Sequence, residues 1–163
     1  MVTTLKTRLE TTSSQSQGAS LTIAQSLSHL LADTYLLYLK TQNFHWNVEG
    51  HLFYGLHNLL EDQYKALAIA VDDIAERIRV LGLSAPGSFQ QFLELSSLQE
   101  ATGLSSAEEM INQLAEDHQI LSEKLKGILR QAEQSDDVST AELLSGRVRS
   151  HEKQAWMLSS ILR

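Results

Sequence analysis

From Leu21 onward, residues suited to a buried face return in steps of four and three through Leu27, Leu31, Thr34, Tyr38, Thr41 and His45, up to a break at Glu49-Gly50. That period draws one stripe along a first helix. A second stripe, Leu60, Tyr64, Leu67, Val71, Ala75 and Ile78, predicts a helix from about Leu52 to Leu81, with Gly82 placed as a C-terminal stop. Ser106-Ala-Glu-Glu109 reads as a capping box opening a third long helix, which carries Ile111, Leu114, His118, Leu121, Leu125 and Ile128. Ser139-Thr-Ala-Glu142 reads as another, opening a helix with Ala141, Leu144, Val148, His151, Ala155, Leu158 and Leu162. The connection from Gly82 to Ser105 is too long for a tight antiparallel hairpin, and Phe89 to Glu94 within it is apolar enough for a short helix. The expectation is an all-α four-helix bundle over residues 21–163, with one long crossover containing a short helix.

Residues 1–20 are rich in Ser, Thr and Gln, with neither apolar clustering nor the hydrophobic core of a secretory signal, so a flexible tail and a cytoplasmic chain are expected. With 163 residues, 42% of them hydrophobic, there is material for one core. No apolar run approaches the length of a membrane span. The net charge of −7 has the wrong sign for a domain that wraps polyanions over its whole surface. Cysteine is absent, so any transition metal must sit on His, Asp and Glu.

The second helix supplies such ligands. His57 with Glu61 and Asp72 with Glu76 are i,i+4 pairs, each sharing a helix face, and His45 ends the first helix nearby. A set of imidazoles and carboxylates suits Fe²⁺, Mn²⁺ or Zn²⁺, with iron leading and zinc as a substitute. Glu61 and Asp72 lie eleven residues apart, about 16 Å along the axis, so one ion cannot use both pairs of one chain. An antiparallel copy of the helix, related by a two-fold axis near residues 66 and 67, brings Asp72 and Glu76 opposite the other chain's His57 and Glu61 and creates two equivalent shared sites. The small Ala68 and Ala75 on that face permit close approach. The Glu-x-x-His motif of intrachain di-iron bundles occurs nowhere in the chain.

Other polar residues have plainer readings. His118 and His151 interrupt core stripes and read as hydrogen-bonded core residues, whereas His29 and His51 read as surface or loop positions, His51 being near enough to His45 for an accessory ligand. Asp136, Asp137 and Glu142 cluster where a helix N-terminus favours acids.

Asn43-Phe-His-Trp-Asn-Val-Glu-Gly50, Phe53, Leu56-His57, Glu61, Asp72-Asp-Ile-Ala-Glu-Arg77 and the closing Trp156-Met-Leu-Ser-Ser160 together resemble the Dps family of bacterial miniferritins. The resemblance runs from about Leu21 to Leu162. It implies a hollow dodecamer that oxidises Fe²⁺, preferably with hydrogen peroxide, and stores the ferric product. It further implies a ferroxidase centre holding two irons, with His45, His57 and Glu61 from one chain and Asp72 and Glu76 from its two-fold partner. Trp46 matches the aromatic beside that centre, Asp136, Asp137 and Glu142 the acidic lining of the iron-entry pores, and Asp62 the acids of the inner wall where mineral nucleates. Position 61 is Glu where many members have Asp. The tail also departs from DNA-binding members, whose extension is Lys-rich: Lys6, Arg8 and Glu10 sum to +1 here, so weak or absent DNA binding is expected. The alternative is a DNA-compacting protectant with a secondary iron site.

Overall fold

A computed structural model places five helices in the order α1 (Val2–Asn47), α2 (Phe53–Val80), α3 (Phe89–Leu95), α4 (Ala107–Gln134) and α5 (Val138–Ile161). It describes residues 17–103 and 105–163; the tail expected over residues 1–20 lies outside them up to residue 16, and residues 17–20 already belong to α1. The all-α bundle with a short helix inside one long crossover is the fold observed.

Side-chain pairs fix how the helices run. Tyr38 meets Tyr64 and His45 meets His57, which sets α1 antiparallel to α2. His118 meets His151 across α4 and α5, also antiparallel. Ser26 with Gln131 and Lys40 with Asp117 set α1 against α4, and Gln63 with Gln154 sets α2 against α5. Leu27, Leu30, Leu31 and Leu37 of α1, Leu60 and Ile78 of α2, Ile111, Leu121 and Leu125 of α4 and Leu144 and Leu158 of α5 bury fully between the four long helices. Hydrophobic burial on this scale, roughly 1.5–3 kcal/mol for each such side chain, is the main force closing the bundle.

The connections have local causes. Gly50, in the turn between α1 and α2, and Gly82, just past α2, take φ of +88° and +98°, which side chains disfavour. Ser106 and Glu109 form the expected capping box of α4. The second box does not form. Helix α5 begins at Val138, and its cap is Asp137, whose carboxylate accepts from Thr140 N at 3.1 Å. Asp137 wins because it is also paired with Arg77 Nη2 at 2.6 Å, a contact that Ser139 could not replace.

The crossover is pinned to α1. Asp33, sealed from solvent, accepts from Ser96 Oγ at 2.8 Å and Ser97 N at 2.6 Å and pairs with Lys124. His29 Nδ1 donates to the Leu95 carbonyl at 2.9 Å, and Tyr35 stacks on Phe92 with centroids 4.5 Å apart. Lys40 and Asp117 form a buried ion pair at 2.7 Å; burial pushes the Asp117 carboxyl up, against the pull of Lys40.

Candidate metal centre

The turn between α1 and α2 folds His45 back onto His57. Their rings stack with centroids 3.9 Å apart and planes 20° from parallel. His45 Nδ1 donates to the His57 carbonyl at 2.8 Å, and His57 Nδ1 donates to the His45 carbonyl at 2.9 Å. A carbonyl oxygen only accepts, so both imidazoles carry their proton on Nδ1. Nε2 of each therefore keeps a free lone pair, the arrangement in which metal-ligating histidines are held by a backbone carbonyl behind the ring. His45 is buried and His57 half-buried. Tyr64 meets His45 edge-on at 5.1 Å and Phe53 leans on His57 at 5.0 Å, so packing as well as hydrogen bonding sets the two rings.

Glu61 stands one helical turn beyond His57 on the same face of α2. Its carboxylate pairs with Lys65, and that hydrogen bond, followed by the lysine's charge, holds it below the usual carboxylate range. A cation thus already engages the carboxylate that stands one turn from His57.

Asp72 and Glu76 are exposed further along α2. Among the described residues of one chain, no three His, Asp or Glu side chains come together as a metal-holding group. The expected five residues therefore stay apart in one chain: His45 is stacked on His57, Glu61 is paired with Lys65 one turn away, and a second set, Asp72 and Glu76, lies further along α2. The outward side of α2 that carries the second set, with Asp62, Ile69 and Ala68, is exposed.

The remaining expected residues are scattered. Trp46 turns its indole outward, 61% exposed. His51 is exposed in the turn, lining an open groove with Glu49 and Glu108, and does not join the histidine pair. Asp136, at φ +54°, and Glu142 are exposed at the start of α5, whereas Asp137 is occupied by Arg77 and Thr140. Asp137 is held below the ordinary range by Thr140 and Arg77, which together outweigh its partial burial. His118 and His151 bond to one another in the core. Sequence reasoning did not single out Lys65 or Arg77, though the i,i+4 spacing of Glu61 and Lys65 was there to be read.

A ferritin-like domain model matches residues 24–163. A low temperature-induced protein of Nostoc sp. is 40% identical over 153 residues, covering 93% of this chain and 83% of its own. DNA protection during starvation protein 2 of Bacillus anthracis is 37% identical over 140 residues, 86% of this chain and 96% of its own. Among solved structures, the Dps protein of Vibrio cholerae O1, described as a member of a broad superfamily of ferritin-like diiron-carboxylate proteins, superposes with a TM-score of 0.87 at 31% identity, covering 90% of this chain and 92% of that one.

Proposed function

Because this chain belongs to the Dps family of ferritin-like proteins, we propose that it is a ferroxidase that oxidises Fe²⁺ with hydrogen peroxide and stores the ferric product inside a hollow dodecamer. The reciprocal His45–His57 hydrogen bonds carry this reading, because they leave two imidazole lone pairs beside Glu61 on a helix whose outer face is acidic and exposed. A second copy of α2, antiparallel about a two-fold axis near residues 66 and 67, supplies Asp72 and Glu76 to complete each site. Iron enters as substrate. Two Fe²⁺ at one shared site give one electron each, so that 2 Fe²⁺ + H₂O₂ + 2 H⁺ yields 2 Fe³⁺ + 2 H₂O with no free hydroxyl radical. Zinc, accepting the same ligands without redox change, acts as an inhibitor.

Asp136 and Glu142, with free carboxylates, line the iron-entry pore; Asp137 contributes through its position as the cap of α5. Asp62 serves mineral nucleation on the inner wall, and Trp46 takes up stray oxidising equivalents. Direct DNA compaction is the second reading, favoured by the names of relatives such as the Bacillus anthracis protein. The net charge of −7 opposes it, and DNA is protected here by removal of iron and peroxide.

The deciding experiment is anaerobic titration with Fe²⁺ followed by peroxide. Two Fe²⁺ bound per chain and one peroxide consumed per two irons are expected. Peroxide loss that does not depend on iron, or no iron binding, refutes the assignment, and retention of plasmid at physiological salt favours the DNA reading.

A further inference from the structure

The antiparallel register that stacks His45 on His57 also sets Tyr38 against Tyr64, since both tyrosines lie seven residues, two helical turns, from their histidines. Rings therefore follow one another without a gap. Tyr64 meets His45 edge-on at 5.1 Å, Tyr38 meets Tyr64 at 6.3 Å, and Tyr35 meets Tyr38 at 5.7 Å. The row ends where Tyr35 stacks on Phe92 at 4.5 Å and meets Phe89 at 6.1 Å. It covers ten residues of α1, about 15 Å away from the histidine pair.

We propose that Tyr64, Tyr38 and Tyr35 form a one-electron relay that serves the ferroxidase site when it holds a single Fe²⁺. This rests on the iron–peroxide reading above. Reduction of peroxide to water needs two electrons, and one Fe²⁺ supplies one. Tyr64 supplies the other together with its phenolic proton: Fe²⁺ + H₂O₂ + Tyr–OH + H⁺ yields Fe³⁺ + 2 H₂O + Tyr–O•. The hole then passes from Tyr64 to Tyr38 and from Tyr38 to Tyr35, each step moving one electron and one proton towards the site. None of the three phenol oxygens is sealed from solvent in the chain, so water can carry the proton that accompanies each electron. Phenylalanine is far harder to oxidise than tyrosine, so the hole stops at Tyr35. A later Fe²⁺ clears it: Tyr–O• + Fe²⁺ + H⁺ yields Tyr–OH + Fe³⁺. With two irons bound, both electrons come from metal and the relay is silent.

The test uses the assembled protein loaded with one Fe²⁺ per site, mixed with peroxide and frozen for electron paramagnetic resonance. A tyrosyl radical is expected whose line shape changes when the tyrosines are ring-deuterated. Tyr64→Phe, which keeps the ring that packs on His45, should lose most of that signal and release hydroxyl radical to an external aromatic probe. Tyr38→Phe should keep the signal but confine it to Tyr64 with a single-site line shape. Tyr54→Phe, an exposed control on the same helix, should change nothing. An undiminished signal in Tyr64→Phe, or a wild-type signal insensitive to tyrosine deuteration, overturns the relay while leaving the ferroxidase reading intact if peroxide is still consumed at two irons per site. No iron-dependent peroxide consumption under either loading overturns both.

Discussion

His118 and His151 face each other across α4 and α5 with their Nδ1 atoms 2.8 Å apart, each 1% exposed. Arg147 sets the protons. Its Nη2 lies 3.3 Å from His151 Nε2, and a guanidinium can only donate, so that nitrogen accepts and His151 carries its proton on Nδ1. That proton is given to His118 Nδ1, which leaves the His118 proton on Nε2, a buried atom with no partner. Burial next to a cation makes further protonation costly: His118 is pushed down to about 3, first by desolvation and then by Arg147, and His151 falls well below its ordinary value through desolvation, then the facing His118 and Arg147.

Acid should therefore unfold the bundle through this pair. Both histidines have folded values depressed below their unfolded ones, so the unfolded chain binds protons that the native chain refuses. Stability is complete above the ordinary histidine value of 6.5 and is lost as pH falls from there towards about 3. The slope reaches about 1.4 kcal/mol per pH unit for each histidine. Urea midpoints between pH 7 and 4 will show it, and the double variant His118→Leu with His151→Leu should lose most of the slope. Parallel pH profiles for variant and wild type contradict the mechanism.

The four long helices were legible because amphipathic spacing is a local property, and the break at Glu49-Gly50 showed where the chain turns back. The His45–His57 pairing was within reach for the same reason, as residues on either side of a short turn must meet. The start of α5 was not. Ser139 and Glu142 fit a capping box as well as Ser106 and Glu109 do, and the choice went to Asp137 because Arg77, sixty residues earlier, lies beside it. His118 and His151 were read as two separate core histidines; that they are partners depends on the α4–α5 register, which no local pattern encodes.

Complementation should test the shared centre. Shells of His45→Ala with His57→Ala, and shells of Asp72→Ala with Glu76→Ala, should each be almost inactive. After reassembly of an equal mixture, about half of the two-fold pairs contain one chain of each kind and restore one site of two, so roughly a quarter of wild-type activity returns. No rescue, with mixed shells verified by mass spectrometry, refutes a centre built from two chains.

If Glu61 ligates metal as proposed, Lys65, which pairs with its carboxylate, competes for it. Removing it in Lys65→Gln should tighten Co²⁺ binding, a non-oxidisable probe of the Fe²⁺ site, by about twofold, as fits an exposed i,i+4 pair. Lys65→Arg should bind as wild type does. Equal affinities for all three proteins, measured by the visible absorption of bound cobalt, remove Lys65 from the site.

Asp137 and its acidic neighbours should separate in their effects. Asp137→Asn weakens the α5 cap and the Arg77 pair and should cost about 1–2 kcal/mol. Because the folded carboxyl lies below its ordinary value, that difference is present at neutral pH and disappears as pH falls through the folded value. Asp136→Asn with Glu142→Gln should leave stability within about 0.5 kcal/mol yet slow iron entry into assembled shells. Unchanged uptake at low iron excludes these two from the entry path.

Each imidazole of the His45–His57 pair is tethered to the backbone of the opposite helix, so the clasp that orients the two rings also buckles the hairpin. Residues 48–52 cannot swing open without parting the two rings. If the pair ligates metal as proposed, affinity and the rigidity of this turn are thermodynamically linked: bound metal should slow amide hydrogen exchange around Gly50, and loosening the turn by a longer, glycine-rich insertion should weaken metal binding although neither histidine is touched.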